Sequence, residues 1–461
     1  MNLIDIIKNK LSPSKDYIFK TVNVAGKKVE IIFNEVLTDS NGINEYILKD
    51  LVNLKKRDLN NLNNKLTACN CKYIKKDEII DNLNNGFVIV IYKDIYSCEI
   101  RANLDRGVNT IESELSISGP KDSFSETFNT NLGLIRRRIK SEKLKVIDFT
   151  IGKYSKTKVG LLYVDSICNK KLVQKIEKSL KMIDIDGIID SSYLKTALEN
   201  KKKLFPTIMM SERPDKSSMA LLEGKVVILV DTSPYALILP SLFFDFFHTT
   251  DDYFQKNINT TFIRIIRVFA FFIAIFTPAV YIAVTTRNYD LVPLPLLLML
   301  KAGRTFVPFP AYIEALFMIV CFEILKESDL RMSTTSGSAI SILGGLILGD
   351  AAVSAGIVSP IMIIVIAISS IAGLIFSSLE LVNALRMYKI ILLILGTILG
   401  IYGVVIGGVI MFYNIFTSKI YGYKYLEIDK NEIKDSIIKL DSDIKKRNSK
   451  LTNNVIRGRY K

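Results

Sequence analysis

The stretch Val268–Thr285, VFAFFIAIFTPAVYIAVT, contains 18 residues without one charged side chain. A run of this length matches a membrane-crossing helix, because about 20 apolar residues cross the hydrocarbon core of a bilayer. A water-soluble globular fold would have to bury the whole run. The stretch therefore predicts a transmembrane helix, and it divides the chain into a part before the membrane and a part within it.

Charge is distributed unevenly around this stretch. The 461-residue chain has 61 Lys+Arg and 46 Asp+Glu, a net charge of +15. Residues 1–260 have 40 basic and 33 acidic residues, residues 261–418 have 9 and 7, and residues 419–461 have 12 and 6, so the net charges are +7, +2 and +6. This pattern predicts a polar region, a membrane region and a basic tail. The surplus charge indicates contact with lipid surfaces and not with nucleic acid.

The polar region alternates strand-like and helix-like segments in two groups, which is an α+β or α/β pattern. The predicted strands are Lys28–Phe33, Phe87–Tyr92, Lys145–Thr150, Lys158–Val164 and Val226–Val230, and the predicted helices are Asn129–Glu142 and Leu172–Met182. The expected fold class is an α+β cytoplasmic region of two subdomains followed by an all-α transmembrane bundle. Its expected boundaries are 1–112 and 113–255 for the subdomains, 256–418 for the bundle, and 419–461 for a basic, partly helical cytoplasmic tail.

Four full spans are predicted in the bundle. Arg264 and Arg267 place the start of the first span on the cytoplasmic side by the positive-inside rule. The basic tail belongs on the same side, so the number of crossings must be even. The expected spans are 262–286, 308–326, 357–377 and 390–416, and the shorter segments 291–302 and 338–352 are expected to enter the membrane without crossing it.

Three carboxylates in the membrane region are candidate ion-path or gating residues, namely Glu314, Glu323 and Asp350. A charged group at bilayer depth is costly and usually faces a protein interior or a water-filled cavity. An alternative for Glu323, which lies near Lys326, is that it marks the end of a span and reaches water. That alternative is preferred for Glu323, and a functional role is preferred for Glu314 and Asp350.

Glycines recur four residues apart in the same region. Such spacing lets helices approach closely, so these residues are candidates for helix packing and for an oligomer interface. The candidates are Gly345, Gly349, Gly396, Gly400, Gly403 and Gly407. Because four spans of one chain could hardly enclose a pore, a homo-oligomer or a partner membrane protein is expected.

The residue types that most enzyme sites require are scarce. His248 is the only histidine, which excludes a histidine-based triad and a multi-histidine metal site. Gly152-Lys153 lacks the upstream glycine of a phosphate-binding loop. Cys69 and Cys71 lack the two-residue gap of common zinc and redox pairs, so neither a disulfide framework nor a metal site is indicated among the five cysteines. No cofactor is predicted, and the chain is expected not to be an enzyme.

The basic triplet Arg136-Arg137-Arg138 permits two interpretations. It could bind acidic lipid headgroups or nucleic acid. It could instead form a solvated helix face or a strip of salt bridges between subunits, and this second interpretation is preferred.

Several long motifs resemble one known family in the same order. They are Ser118–Glu126 (SGPKDSFSE), Asn129–Leu132, Ile135–Arg138, Ser155–Val164 (SKTKVGLLYV), Ile183–Asp190 (IDIDGIID), Pro206–Pro214 (PTIMMSERP), Pro278–Thr286 (PAVYIAVTT), Val307–Ala311 and Gly349–Pro360 (GDAAVSAGIVSP). This pattern resembles the A subunit of GerA-type nutrient germinant receptors of endospore-forming bacteria. The resemblance extends over about residues 110–427.

The resemblance implies a multi-pass protein of the spore inner membrane with a cytoplasmic N-terminal region and tail. It also implies partnership with a transporter-like B subunit and a lipoprotein C subunit. The implied activity is that of an oligomeric, ligand-gated channel that releases monovalent cations when a nutrient binds the B subunit. No catalytic residue is implied.

Two further hypotheses belong to other functional classes. A transporter or lipid flippase would also use intramembrane carboxylates and broken helices, although no internal repeat relates 262–340 to 341–416. A membrane-tethered enzyme would need an active site within 121–248. Glu212, Asp215 and Asp231 could form an acidic cluster there, but no adjacent motif assigns them a reaction.

Overall fold

The computed structural model describes residues 3–54, 62, 65–68, 70–103, 109–110, 114, 116–199, 203–331, 345, 349–426, 436–439 and 451–452. Two α+β subdomains come first, and a helical region with apolar helices follows them. This architecture confirms the predicted fold class. Most of the predicted tail and residues 338–344 lie outside the described residues.

The first subdomain is built on a five-stranded antiparallel sheet in the order β1-β2-β4-β5-β3. Its strands are β1 (Tyr17–Val24), β2 (Lys27–Asn34), β3 (Lys72–Tyr73), β4 (Phe87–Ile91) and β5 (Ile95–Glu99), and its helices are α1 (Leu3–Leu11), α2 (Ser40–Ile43), α3 (Lys49–Asn53) and α4 (Ile79–Asn84). The β1–β2 hairpin turns at Ala25 and Gly26, which both have positive φ. A two-residue turn of this kind matches the twist of a hairpin, so it sets the register that pairs Val22 with Val29.

The second subdomain contains a five-stranded antiparallel sheet in the order β10-β12-β11-β9-β8. Its strands are β8 (Leu144–Ile151), β9 (Thr157–Val164), β10 (Met209–Ser211), β11 (Val226–Val230) and β12 (Ala236–Leu239), preceded by the short pair β6 (Asn109–Thr110) and β7 (Asp122–Ser123). Its helices are α5 (Phe128–Arg138), α6 (Lys170–Lys181), α7 (Ser191–Leu198) and α8 (Pro214–Leu222). The predicted strands within 145–150, 158–164 and 226–230 are therefore confirmed.

Helix α6 illustrates how the local sequence specifies these elements. The side chain of Asn169 accepts a hydrogen bond from the backbone N–H of Lys171 and caps the first turn. Leu172, Ile176 and Leu180 recur every four residues and are buried against the sheet. Cap and apolar stripe together define a helix that packs on one face of the sheet.

The helical region begins directly after a short 3-10 helix, Phe243–Phe247. Its helices are α9 (Asp251–Phe254), α10 (Asn257–Thr286), α11 (Leu294–Ala302), α12 (Ala311–Arg331), α13 (Pro360–Leu374), α14 (Leu379–Leu399) and α15 (Ile401–Thr417), followed by the two-stranded hairpin β13 (Lys419–Ile420) and β14 (Tyr423–Lys424). Among the described residues, α10 and α14 are long and apolar enough to cross a membrane, and α13 and α15 are shorter apolar helices. Residues 349–354 are also helical.

The predicted single span 390–416 is wrong. Helix α14 ends at Leu399, Gly400 adopts φ 64° and ψ −144°, and α15 then returns alongside α14. The amide of Asn414 donates to the hydroxyl of Tyr388 at 3.2 Å, and Gly407 faces Leu392, as an antiparallel pair requires. The 27 residues of this run look like one continuous helix in the sequence. The chain nevertheless reverses direction at residue 400, where the backbone adopts a conformation that only glycine readily takes.

Some of the described helices run away from the second subdomain and others run toward it. We call the end of the bundle beside that subdomain the near end and the opposite end the far end. Lys195 pairs with Glu380 at 2.6 Å, so α14 begins at the near end. Phe376 contacts Phe247, with ring centroids 5.3 Å apart, so α13 ends there. At the far end, where α10 ends and where α12 and α13 begin, three residues pack together, namely Ile282, Ala311 and Val358.

Helices α12 and α13 both run toward the near end. Described residues between these two helices lie toward both ends of the bundle. A Cβ atom on Gly345 would lie 4.0 Å from Leu325 near the end of α12, while Gly356 lies against Phe306 at the far end. Among the helices that the structure describes, α10 and α14 thus lead to the far end, and α12, α13 and α15 lead back.

The end of the helical region returns to the second subdomain. The backbone N–H of Phe243 donates to the carbonyl of Tyr425 at 2.9 Å, and Lys175 on α6 donates to the carbonyl of Tyr421 at 2.9 Å. Further along the chain, the N–H of Asn169 donates to Leu451 O at 3.0 Å. The start of the tail therefore lies on the same side of the bundle as both subdomains.

Two expectations about single residues are corrected. Cys71 and Cys98 form a disulfide within the first subdomain, although the cysteine spacing indicates no such bond. They are 27 residues apart in sequence, and the sheet brings their Cα atoms to 4.1 Å. Cys168 is buried and Cys321 is half-buried, and neither takes part in this disulfide.

Arg136 is neither a solvated nor an intersubunit residue. Its side chain is 1% exposed and makes two hydrogen bonds, of 2.7 and 3.0 Å, to the buried Asp16 of the first subdomain. It also lies over the ring of Tyr17 and donates to Leu144 O. Arg138 pairs instead with Asp122 at 2.6 Å. Arg136 fastens the two subdomains together because the fold places Asp16 against α5.

Candidate gating and ion-path site

A buried ion network joins the second subdomain to the first membrane helix. Asp252 on α9 is 2% exposed and faces two arginines of α10. Arg264 Nε lies 3.2 Å from Asp252 Oδ2, and Arg267 Nη1 lies 2.9 and 2.8 Å from the two carboxylate oxygens. Arg267 also donates to Phe247 O and Thr249 Oγ1. The two arginines that suggested a cytoplasmic end of the span are thus held inside the protein.

The electrostatics of this network favour the charged carboxylate and a neutral histidine. Burial acts to raise the pKa of Asp252, but the hydrogen bonds and charge of Arg267 outweigh it, so the pKa lies below its usual value. His248 follows the 3-10 helix, and its Nε2 lies 2.8 Å from Ser436 O. Burial and the nearby charge of Arg264 lower the pKa of His248 to about 4. His248 is therefore neutral near pH 7. It belongs to the junction, by which we mean the contacts between the end of the second subdomain and α10.

Aromatic rings pack around the same junction. Phe243 contacts Phe271 of α10 with centroids 5.6 Å apart, and it contacts Tyr425 at 5.8 Å. Phe247 contacts both Phe271 and Phe376. These rings belong to one apolar core that continues from the second sheet into the bundle. A displacement of the second subdomain must therefore move α10 as well.

Glu314, at the far end, is buried and ion-paired. Its Oε1 lies 2.8 Å from Arg304 Nη2, and its Oε2 accepts hydrogen bonds from the N–H and hydroxyl of Ser359 at 3.1 and 2.9 Å. The carboxylate thereby connects the first turn of α12 to the start of α13. Any opening of these helices has to break those contacts.

Glu323 lies nearer the second subdomain, one-quarter exposed, with Arg386 Nη2 of α14 at 2.7 Å from its Oε2. Lys326 and Lys389 line the same cavity, which has a volume of about 210 Å³. Lys389 is only 7% exposed. Glu323 is therefore one carboxylate among three basic groups, not a solitary acid at the end of a span.

Asp350 differs from the other two carboxylates. It is exposed on the helical residues 349–354, and it forms neither a salt bridge nor a hydrogen bond with any residue that the structure describes. The three candidate carboxylates therefore lie at different places in the helical region, and the fold does not bring them together into one site.

The candidate glycines divide into two sets. A Cβ atom on Gly396 would lie 3.0 Å from the carbonyl of Ala279 on α10, while Gly403 and Gly407 face Leu395 and Leu392 inside the α14–α15 hairpin. Gly400 forms the turn itself. These four glycines allow close packing within one chain.

Gly345 and Gly349 have more space around them. Nothing lies within 4 Å of the position a Cβ atom would take on Gly349. A role for these two glycines between subunits stays a prediction.

The acidic residues of the second subdomain have structural partners. Asp215 accepts two hydrogen bonds from the buried Arg213, Glu212 accepts from the N–H of Glu114, and Asp231 accepts from the N–H of Phe128 at the start of α5. No group of three or more metal-ligating side chains occurs among the described residues. These contacts stabilise loops and a helix start and leave no paired acid and base for catalysis.

Sequence reasoning missed four of the residues that shape these sites, namely Asp252, Arg304, Arg386 and Lys389. For two of these residues, the spacing of charges in the sequence indicates a shared site. Arg386 and Lys389 are three residues apart, as are Glu323 and Lys326, and such pairs share one face of a helix. Nothing in the sequence, by contrast, indicates that Asp252 faces residues twelve and fifteen positions ahead.

A polar α+β region fastened to a bundle of apolar helices is the architecture of a membrane protein. Residues 5–451 match the family described as Bacillus/Clostridium GerA spore germination protein. The chain belongs to the GerA family of spore germination proteins, the family that its motifs resemble.

Known relatives match most of the chain. Spore germination protein KA of Bacillus subtilis (strain 168) is 34% identical over 434 residues, which are 91% of this chain and 79% of that protein. Spore germination protein GerQA of Bacillus cereus is 30% identical over 440 residues, 93% of this chain and 88% of that protein. The crystal structure of the N-terminal domain of the A subunit of the Bacillus megaterium spore germinant receptor GerK3 is 28% identical. It covers 52% of this chain and 94% of that chain with a TM-score of 0.41.

Proposed function

We propose that this chain is the A subunit of a nutrient germinant receptor and that several copies form a ligand-gated channel for monovalent cations. Its partners are a transporter-like B subunit, which takes the nutrient, and a lipoprotein C subunit. Its membrane is the inner membrane of the spore, with both subdomains and the tail on the cytoplasmic side. Family membership and the location of the tail beside the second subdomain support this assignment.

The exposed carboxylate of Asp350 carries the channel proposal. Glu314 and Glu323 are paired with arginines inside the chain, so neither offers a free negative charge to a passing cation. Asp350 is exposed and lies on a helical segment beside Gly349, where another helix could approach. Rings of acidic side chains from several subunits select cations in many channels. A ring of Asp350 residues around an axis between copies would form such a filter.

The junction supplies the gating. In this proposal, nutrient binding to the B subunit shifts the second subdomain between two positions. The Asp252 network and the aromatic rings transmit that shift to α10. Helix α10 packs against α13 and α14, so its displacement moves the bundle between closed and open arrangements. The contacts of Glu314 hold the far end of the closed arrangement.

Conductance of the reconstituted oligomer tests the channel. Purified chain is inserted into liposomes or planar bilayers, alone and with B and C subunits, and cation flux is recorded with and without germinant. We expect flux that depends on germinant when the partner subunits are present. The absence of cation flux in every combination would end the channel proposal.

Substitutions at Asp350 test the filter itself. Asp350→Asn should reduce the preference for K⁺ over Cl⁻, and Asp350→Lys should reverse it, because the charge of the ring changes sign. Asp290→Asn removes an exposed carboxylate outside the proposed ring and serves as the matched control. An unchanged reversal potential in a KCl gradient for Asp350→Lys would show that Asp350 does not line the path.

The alternative is a transporter or flippase subunit that no separate receptor gates. The broken helix pair at Gly400 is the observation that favours it, since interrupted helices form many transport sites. The two functions differ in the same bilayer recordings. A channel gives unitary current steps, whereas a transporter gives saturable flux without such steps and without a requirement for germinant.

A further inference from the structure

We propose that the cavity at the near end of the bundle binds an anionic phosphate group, supplied by a lipid headgroup or by free phosphate. The cavity lies among α10, α12, α13 and α14 and has a volume of about 210 Å³. A single water requires only about 15 Å³ by this measure, so a phosphate and several waters have room there. The assignment rests on the membrane location of these helices and not on channel activity, so the two can fail separately.

Two pairs of charged side chains face each other across this cavity. Helix α12 contributes Glu323 and Lys326, and α14 contributes Arg386 and Lys389. Residues three apart lie on one face of a helix, so each helix presents both of its charged groups to the cavity. Three basic groups and one carboxylate give the lining a net charge of +2.

The single carboxylate does not satisfy these cations. Glu323 pairs with Arg386 at 2.7 Å, and the Nε of Arg386 is buried without a hydrogen-bond partner. Lys326 and Lys389 make no hydrogen bond or salt bridge with a residue in the described part of the chain. Unpaired cations among apolar helices are costly, and an anion in the cavity would remove that cost.

The position of the cavity favours a lipid as the source of the phosphate. It lies at the end of the bundle beside the second subdomain, where a headgroup layer would meet the helices. Leu374 lines it and is 61% exposed, so the cavity borders the apolar flank where acyl chains would lie. Basic pockets between helices on the cytoplasmic side are known to bind anionic headgroups. A net charge of +2 also makes this cavity unsuitable as a route for cations.

Native mass spectrometry of the purified full chain in detergent tests the site. The probes are dioctanoyl-phosphatidylglycerol, dioctanoyl-phosphatidylcholine and inorganic phosphate, each titrated separately. We expect phosphatidylglycerol to remain bound at one molecule per chain and phosphatidylcholine to bind far more weakly. Retention of inorganic phosphate at the same site would support a free anion as the source. Equal retention of the two lipids would overturn the proposal, because it would show apolar binding without charge recognition.

Variants with opposite charge effects keep the test informative. The double variant Lys326→Gln/Lys389→Gln should weaken phosphatidylglycerol binding about thirtyfold, since each basic side chain near an anionic headgroup contributes about fivefold. Glu323→Gln should strengthen it, because it removes the one competing negative charge and frees Arg386. If the double lysine variant does not fold, Glu323→Gln still tests the proposal. Unchanged or weaker binding of phosphatidylglycerol to Glu323→Gln would overturn the proposal.

A matched control removes the same charge elsewhere. Lys419→Gln/Lys424→Gln eliminates two exposed lysines on β13 and β14, at the same end of the bundle but outside the cavity. Phosphatidylglycerol binding should stay within about twofold of the parent chain. A loss as large as that of the cavity variant would mean that general surface charge, not the cavity, retains the lipid.

Discussion

Replacing Asp252 by asparagine is expected to destabilise the junction strongly. The carboxylate is 2% exposed, and the side chains of its partners Arg264 and Arg267 are 5% and 8% exposed. Asparagine keeps the shape but removes the charge, which deprives the two buried guanidinium groups of this shared carboxylate. Breaking a buried ion pair from one side costs about 3–5 kcal/mol. We expect a loss of that size in the free energy of unfolding.

A buried thiol provides the assay. Cys168 is 1% exposed, so it reacts with a thiol-specific dye only when the second subdomain unfolds. In a Cys69→Ser/Cys321→Ser background, labelling of Cys168 is followed against urea, and the midpoint and slope give the free energy of unfolding. The full chain is kept in detergent throughout.

The control and the rescue decide whether the reasoning holds. Asp184→Asn also removes an ion-paired carboxylate, but this one is 72% exposed at 2.9 Å from Lys153, so it should cost less than about 1 kcal/mol. Asp252→Asn/Arg264→Gln also removes one of the two buried arginine charges that faced the carboxylate, so it should recover part of the loss. If Asp252→Asn costs no more than Asp184→Asn, the network is hydrated and does not hold the junction.

Three further predictions concern pH, helix packing and the contact between subdomains. The free energy of unfolding should fall as the pH drops from about 6.5 to about 4. The reason is that the unfolded chain protonates His248 near its ordinary pKa of 6.5, whereas the folded chain holds that pKa at about 4. His248→Gln should abolish this dependence in urea titrations at several pH values, and persistence of the slope would assign it to another group. Gly403→Ala should cost about 1–3 kcal/mol, because its Cβ would overlap the carbonyl of Leu395, whereas Gly349→Ala should leave the melting temperature unchanged. Equal melting temperatures for both variants would contradict the close packing of Gly403 against Leu395 in the α14–α15 hairpin. Arg136→Met should cost about 3–5 kcal/mol by leaving the carboxylate of Asp16 buried and unpaired, with faster proteolysis of the first subdomain, and Arg136→Met/Asp16→Leu should restore most of the loss. If the double variant were as sensitive to protease as the single variant, the Arg136–Asp16 ion pair would not be what holds the two subdomains together.

Local patterns predicted much of the two sheets. The runs at 28–33, 145–150, 158–164 and 226–230 lie within observed strands, and the run at 87–92 extends one residue beyond β4. Alternation and β-branched residues act over a few neighbours, so such runs are visible in the sequence. β1 was missed. Its sequence, YIFKTVNV, mixes polar and apolar residues, and it becomes a strand through pairing with β2 along its whole length.

The membrane region was harder to predict, because an apolar run carries little information about direction. Residues 390–416 are continuously apolar, yet Gly400 reverses the chain within them. The common direction of α12 and α13 likewise follows from which helix ends meet and not from any local pattern. Contacts between residues distant in sequence decide the direction of each helix.

The sequence by itself determined the division of this protein into a polar α+β region and an apolar helical one, and its long motifs identified the family. Those features depend on residue type and on spacing between neighbours, which the sequence displays directly. Only the tertiary structure decided which charges meet. It paired Asp252 with Arg264 and Arg267, Asp16 with Arg136, and Glu314 with Arg304, and it left Asp350 exposed. The physical reason is that an ion pair depends on distances of about 3 Å in space, and folding sets those distances between residues that may lie ten or a hundred positions apart.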